Sequence, residues 1–334
     1  MNELWNSARV MVASVLTTYP YSIFSWTAVA GVSLYLIKRC FGSRGGVCYS
    51  KARLDGKTAI ITGANTGIGL ETAVDFAQRN GRVILACRSK DKGEAAVELV
   101  KKRSGNNDVL FVQLDLSSLE SVRQFCSAIL SNEQRIDVLV NNAGLFCNFS
   151  TSVDGYEMQF AVNHLSHFLL TNLLLDKMKQ APSARIVIVS SEGYQYGKID
   201  FNNLHTPDDT QYKAFNAYAQ SKLANIIFTR SLSKKLQNTQ VTVNAVHPGK
   251  VYTEIARNVW FLRIVMPLFK IFLKSPWQGA QTSIYCAVSE DMEGVSGQYL
   301  ADCKFKKLTN PQATDDAIAE RLWEVSSEMV GLDD

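Results

Sequence analysis

The sequence predicts an α/β fold built on a doubly wound parallel sheet. Short runs rich in β-branched residues alternate with helical stretches from residue 57 almost to the C-terminus. Most of these runs are apolar throughout, as strands covered on both faces must be. The first run ends in a turn with three glycines, Gly63, Gly67 and Gly69, and that turn opens directly into a helical stretch.

The elements follow in order. The run TAIIT (58–62) is a buried strand and 70–79 the first helix. RVILACR (82–88) is a second strand, followed by an amphipathic helix over 92–103. A third strand falls in 108–116 and a third helix over 118–130. IDVLVNNAG (136–144) supplies a fourth strand and 156–178 a long apolar helix. ARIVIVSS (184–191) is the fifth strand, AYAQSK (217–222) begins the next helix, and QVTVNAVHPG (240–249) is the sixth strand. Residues 316–332 read as a closing amphipathic helix. No internal repeat or low-complexity tract interrupts the series, so 57–334 reads as one domain.

The 334 residues carry a net charge of +4, and no basic block is dense enough to point to nucleic acid. Seven scattered cysteines, without a CxxC pair or ligand spacing to a histidine, fit reduced thiols and no zinc site. His164, His167 and His247 lie without a second set of ligands and read as structural; no metal is expected. The N-terminus is different. Residues 10–37 contain no charged side chain, which is long enough to cross a bilayer. Lys38, Arg39, Arg44, Lys51 and Arg53 follow at once. The expectation is an uncleaved membrane anchor over 1–40, a Gly/Ser-rich linker over 41–56, and a following domain on the cytosolic side or its organellar equivalent.

Glycines at a strand-to-helix turn permit positive φ and let a phosphate approach the backbone. The free N–H groups of the following helix then face that phosphate. The end of the second strand bears on which dinucleotide fits. A carboxylate there would accept hydrogen bonds from the ribose hydroxyls of NAD. The strand ends instead in Cys87-Arg88-Ser89, with Lys92 close by, and Arg88 can fork onto a 2′-phosphate. NADP(H) is the expected cofactor.

Tyr218 and Lys222 are four apart, and so share a helix face. TGANTGIG, NNAG, VSS, YAQSK and HPG occur in the order found in short-chain dehydrogenases/reductases, which the chain resembles from Lys57 to about Leu332. ILACR, MQFAVNHLSHFLLTNLLL, YAQSKLANIIFTR and VTVNAVHPGKVYTE, with GGVCYSKARLDGKT ahead of them, resemble the retinol dehydrogenase branch. The resemblance implies a Rossmann-type single domain, NADP(H), and retinal or a related lipid aldehyde as substrate. It implies Tyr218 as general acid/base, Lys222 as its activator, Ser191 as the hydroxyl that orients the substrate, and Asn163 as the fourth member. It places Gly63, Asn65, Thr66, Gly67, Ile68, Gly69, Arg88, Asp115, Leu116, Asn142, Ala143, Gly144, Tyr218, Lys222, Pro248 and Gly249 along the cofactor. An ammonium near Tyr218 should lower its pKa from about 10. Asn163, a poor helix former inside a long helix, should interrupt that helix. Strand alternation turns Ser190 away from Ser191.

Residues 192–217 form an insertion typical of the retinol branch, and LFCNFS after NNAG is an unusual pocket wall. The apolar, aromatic stretch 258–277 follows the sixth strand, where a substrate lid that dips into the membrane would lie. A core helix is the other reading of that stretch. Two other functions stay open: a steroid or other lipid-ketone reductase on the same scaffold, and a membrane-tethered binding protein of little activity. The membrane would be that of the endoplasmic reticulum or the mitochondrial inner membrane.

Overall fold

The computed structural model describes residues 45–204, 212–251 and 273–332. β1 (Thr58–Thr62) is buried along its whole length, and each of its neighbours is a parallel strand. The chain continues through α1 (Gly67–Gln78), β2 (Arg82–Cys87), α2 (Lys90–Ser104), β3 (Val109–Gln113), α3 (Leu119–Asn132) and β4 (Val138–Asn141). A short α turn, Met158–Phe160, leads through a π turn, Ala161–Leu165, into α4 (Ser166–Lys179). Then come β5 (Ala184–Val189), a 3-10 turn at Glu192–Tyr196, α5 (Ala214–Lys235) and β6 (Val241–His247). The described chain ends with α6 (Pro276–Val288), β7 (Tyr299–Ala301), β8 (Lys304–Phe305) and α7 (Asp316–Val330).

The sheet order is β3-β2-β1-β4-β5-β6-β7-β8, parallel from β3 to β7, with β8 antiparallel at the edge. Ile60, Ile84 and Leu139 point to one face, where α3, α4, α5 and α7 pack. Ile61, Val83 and Leu85 point to the other, under α1, α2 and α6. Period-2 alternation thus feeds two cores, and each fully buried Ile or Leu contributes about 1.5–3 kcal/mol. The strand order reverses between β1 and β4. In such sheets the crevice at that point, beyond the carboxyl ends of the strands, is where ligands bind.

The expected single parallel α/β domain is what forms. β7, β8 and α6 were not legible beforehand. β7 and β8 are three and two residues long, too short for any pattern. From residue 45 on, the expected linker is held against the domain. Arg79 donates to the carbonyls of Ser50 and Ala52 at 3.0 and 2.7 Å, and Cys48 N–H donates to Gln281 at 3.0 Å. The anchor expected over 1–40 and most of the stretch 258–277 lie outside the described residues. The described end of that stretch starts α6: Ser275 and Gln278 form a reciprocal capping box around Pro276. Among the described residues no helix is long and apolar enough to cross a membrane.

Candidate active site

α5 presents Tyr218 and Lys222 toward the end of β5. The strand ends at Val189, and the next two serines part company. Ser190 is buried and its hydroxyl donates to the Lys222 carbonyl at 2.8 Å, which fastens α5 to the strand. Ser191 turns the other way, accepts from Gly193 N–H at 3.1 Å, and hydrogen-bonds the Tyr218 hydroxyl. A Cβ on Gly193 would stand 3.5 Å from both Ser191 Oγ and Tyr218 Cε1, so the backbone there runs close beside the pair.

Asn163 lies in the π turn, buried completely. The expected interruption of the helix is there, as one wide turn of the kind that recurs at functional sites. The displaced Asn163 carbonyl is taken up by Asn225 Nδ2 at 3.0 Å and by His167 at 3.3 Å. The Asn163 side chain bridges Leu145 and Ser221: its Oδ1 accepts from Leu145 N–H, and its Nδ2 donates to Leu145 O and Ser221 Oγ. Lys222 Nζ and Asn163 Oδ1 each lie 3.3 Å from the point a Cβ on Gly144 would occupy. Tyr218, Ser191, Lys222 and Asn163, far apart in sequence, therefore converge at the carboxyl ends of β4 and β5.

The electrostatics differ from expectation at one point. Burial pushes the Tyr218 phenol above its ordinary value, with the hydrogen bond to Ser191 pulling the other way. The ammonium does not reverse this: Lys222 Nζ stands 5.7 Å from the ring centre and donates to Val189 O at 3.1 Å. Burial also brings Lys222 itself down to about 8. Dryness thus outweighs the opposite charge. Between that value and the free-lysine value of about 10.4 the unfolded chain holds more protons than the folded one. Stability from this group therefore rises with pH in that window, and below it the whole cost of the buried charge is borne. Lys222→Met should melt above wild type at pH 7, with the gap closing as pH climbs from 8 toward 10. Thermal melts of both proteins across that range test this; a gap independent of pH would contradict it.

On the cofactor side, Gly63 and Gly67 both have positive φ, 65° and 60°. Thr66 precedes α1 without making a side-chain cap, so the first N–H groups of that helix stay open to an anion. A Cβ on Gly69 would meet Gly63 O and Asn142 Nδ2 at 2.6 Å, which explains why only glycine fits there. Asn142 Nδ2 donates to Thr62 O, and the N–H groups of Asn142 and Ala143 share Thr62 Oγ1 at 2.9 Å. Thr62 in turn meets His167 at 2.9 Å. His167, held down to about 3 by burial, is neutral and ties the glycine turn to the π turn. His164 is likewise buried between Asn225 and Ser326. Arg88 is exposed at the end of β2 and makes no ion pair among the described residues, while Gln113 holds its carbonyl at 3.1 Å. Asp115 accepts from the N–H and hydroxyl of Ser117, and Leu116, buried, has its carbonyl held by Ser166. An open helix N-terminus, a glycine cradle and an exposed guanidinium fit the phosphates of a dinucleotide.

Several contributors escaped sequence reasoning. Phe146, from the unusual LFCNFS stretch, sets its ring edge-on to Tyr218 at 5.6 Å. Gly197 brings the insertion so close to α5 that a Cβ would lie 2.4 Å from Ala219 O. Lys274 is buried, donates to Pro248 O at 3.1 Å and pairs with Asp302 at 2.5 Å. It fills the space beside Gly249, whose φ is +89°. His247, brought to about 4 by burial, accepts from Glu192 N–H through Nδ1 at 3.2 Å and so steadies the residue after Ser191. The glycines carried a signal; the lysine and histidine carried none, because their partners are remote in sequence.

The sequence profile described as short chain dehydrogenase matches residues 57–205 and 206–261. Mouse retinol dehydrogenase 11 is 47% identical over 288 residues, covering 86% of this chain and 90% of that protein. Human retinol dehydrogenase 13 is 47% identical over 296 residues, covering 86% and 89%. Among solved structures, an uncharacterised protein from Mycobacterium paratuberculosis matches with TM-score 0.69 and 31% identity over 86% of this chain and 98% of its own. L-sorbose reductase from Gluconobacter frateurii, solved with NADPH and L-sorbose, shares the fold with TM-score 0.60 at 22% identity, over 75% of this chain and 96% of its own. The motifs that meet in the crevice are thus those of a large group of proteins spanned almost end to end, and the chain belongs to the short-chain dehydrogenase/reductase family, in the branch of the retinol dehydrogenases.

Proposed function

We propose that the chain is an NADP(H)-dependent oxidoreductase that interconverts a retinoid or related lipid aldehyde and its alcohol, reducing all-trans-retinal to retinol. The observation that carries this is the pairing of Tyr218 with Ser191 at the switch-point crevice, with Lys222 and Asn163 behind them. The retinoid class rests on the names of the relatives.

NADPH, when bound, supplies the hydride. The open N–H groups of Gly67, Ile68 and Gly69 would hold its diphosphate, with Asn65 and Thr66 at the edge and Gly63 leaving room. Arg88 would take the 2′-phosphate, Asp115 and Leu116 the adenine side, and Asn142, Ala143 and Gly144 the middle. Lys222 and Tyr218 would meet the nicotinamide ribose, and Pro248 and Gly249 the far end. Ser191, whose oxygen is already fixed by Gly193 N–H, donates to the substrate carbonyl. Tyr218 gives its proton to the oxygen as negative charge develops there. A phenol kept protonated by its dry surroundings is in the correct state for that role. Asn163 holds the π turn open against Leu145 and Ser221 beside Lys222.

The charge-free stretch 10–37 would tether this domain to a membrane, endoplasmic or mitochondrial, with the domain on the cytosolic side or its organellar equivalent. A lipid aldehyde is a substrate that arrives from that membrane. The test is NADPH oxidation by the detergent-solubilised full chain with all-trans-retinal, beside NADH and a steroid ketone. Turnover with retinal and NADPH is expected. Activity on the steroid alone would remove the retinoid assignment, and silence on every carbonyl would remove the enzyme.

A further inference from the structure

Ser191 does more than meet Tyr218. It also caps the 3-10 turn Glu192–Tyr196: its hydroxyl accepts from Gly193 N–H at 3.1 Å and its carbonyl from Tyr194 N–H at 3.1 Å. The orientation of the serine is therefore tied to the turn that follows it. A single 3-10 turn has poor hydrogen-bond geometry, and its last carbonyls find few partners inside it. Here the partner comes from far along the chain. Asn310 Nδ2 donates to Tyr194 O at 3.1 Å, to Gln195 O at 3.3 Å and to Gly197 O at 2.8 Å. Two amide hydrogens thus serve three carbonyls at the end of the turn that Ser191 begins.

Asn310 is itself fixed. It is buried, and its Oδ1 accepts from Gln312 N–H at 3.0 Å as the cap of a second 3-10 turn, Pro311–Thr314. With the oxygen committed there, the amide nitrogen faces the three carbonyls. Its neighbours grip the same loop: Thr309 N–H donates to the Tyr194 hydroxyl at 3.1 Å, and Gln312 Oε1 accepts from Ile199 N–H at 2.8 Å. The second turn also reaches the other half of the site, because Arg230 on α5 donates to Ala313 O at 2.8 Å. α5 carries Tyr218 and Lys222. One short segment is thus bonded both to the turn capped by Ser191 and to the helix that bears Tyr218.

We propose that Asn310 is a positioning residue for the reaction: by holding the turn after β5 it sets the Ser191 hydroxyl against Tyr218. This rests on the reductase reading above, in which Ser191 orients the carbonyl. A reacting group moved by about 1 Å can cost about 10²-fold in rate, and a single turn separates Ser191 from this clamp. The residue type matters as well. A serine could donate to one of the three carbonyls, and an aspartate would set an anionic oxygen against all of them.

Asn310→Ala is compared with Gln312→Ala, which loosens the same segment at Ile199, farther along the chain from Ser191. Rates are taken on the full chain, well below the melting temperature, with NADPH and whichever carbonyl the wild type reduces. Asn310→Ala should lower kcat about 10–100-fold with the KM for NADPH almost unchanged. In a Ser191→Ala background it should lower kcat no further, because it acts through that hydroxyl. Gln312→Ala should keep kcat near wild type. A lower melting temperature with kcat unchanged, equal losses of kcat from the two substitutions, or a full further loss behind Ser191→Ala overturns the proposal. Should the alanine variant not fold, Asn310→Ser should show the same pattern at smaller size. Hydrogen exchange of the 192–197 amides needs no substrate. Asn310→Ala should speed it several-fold while the amides of 217–222 hold their rate, and unchanged exchange at 192–197 also overturns the proposal. A wild type silent on every carbonyl would remove the reductase reading and the role of Asn310 in it, yet leave the exchange result standing.

Discussion

Tyr218→Phe should lower turnover of retinal by about 10²–10⁴-fold, the usual contribution of a positioned proton donor. The substitution removes one hydroxyl and little else. The ring keeps its edge-on contact with Phe146, and the Tyr218 carbonyl keeps the hydrogen bond from Ser221 at 2.8 Å. Ser191 loses one partner but keeps Gly193 N–H. The change in stability should therefore stay near about 1 kcal/mol, the net value of one hydrogen bond. Binding of NADPH, followed by its fluorescence, should be retained within a small factor, since the phosphate contacts lie elsewhere. The pattern that identifies a proton donor is loss of kcat with fold and cofactor binding intact. A variant that turned over within a few-fold of wild type would show that the proton comes from another group, and would return weight to a binding role for the protein.

Why so much of this site could be read from sequence follows from how it is built. The glycine turn is legible because its constraints are backbone constraints: Gly63 and Gly67 need positive φ, and Gly69 needs the absence of a Cβ. Such requirements leave one residue type and hence a visible motif. Tyr218 and Lys222 are legible because one helical turn links them. Ser191 could be separated from Ser190 because a strand alternates, and the structure gives Ser190 a partner in the core. Asn163 was legible as an anomaly in a helix, although the π turn that accommodates it was not. What stayed hidden depends on contacts distant in sequence. Phe146 meets Tyr218 across 72 positions, and Lys274 reaches Pro248 and Asp302 only because α6 and the β7–β8 turn close on the same edge. The direction of the Tyr218 shift was misjudged for a related reason. Sequence shows which charges are near but not how dry the site is, and here dryness dominates.

Arg88→Ala should weaken NADPH by about 10–100-fold and leave NADH almost untouched, since hydrogen bonds between charged groups are worth about 1.5–3 kcal/mol. The reason lies in what surrounds the guanidinium. Arg88 directly follows β2, on the side where the adenosine half of the cofactor would lie, one residue before Ser89, whose hydroxyl caps α2 through Lys92 N–H. Its carbonyl is fixed by Gln113, so the backbone is positioned while the side chain stays exposed and unpaired among the described residues. A carboxylate in this position would select against a 2′-phosphate; an arginine can grip one through two parallel bonds. Because the group is exposed, the preference for NADPH should also shrink as ionic strength rises, whereas a buried contact would resist screening. Dissociation constants for both cofactors, measured at low and high salt for wild type and variant, separate these effects. If Arg88→Ala kept the wild-type ratio of NADPH to NADH affinity, the 2′-phosphate would have to be held by another cation, and Lys92, exposed on the first turn of α2, would be the next residue to replace.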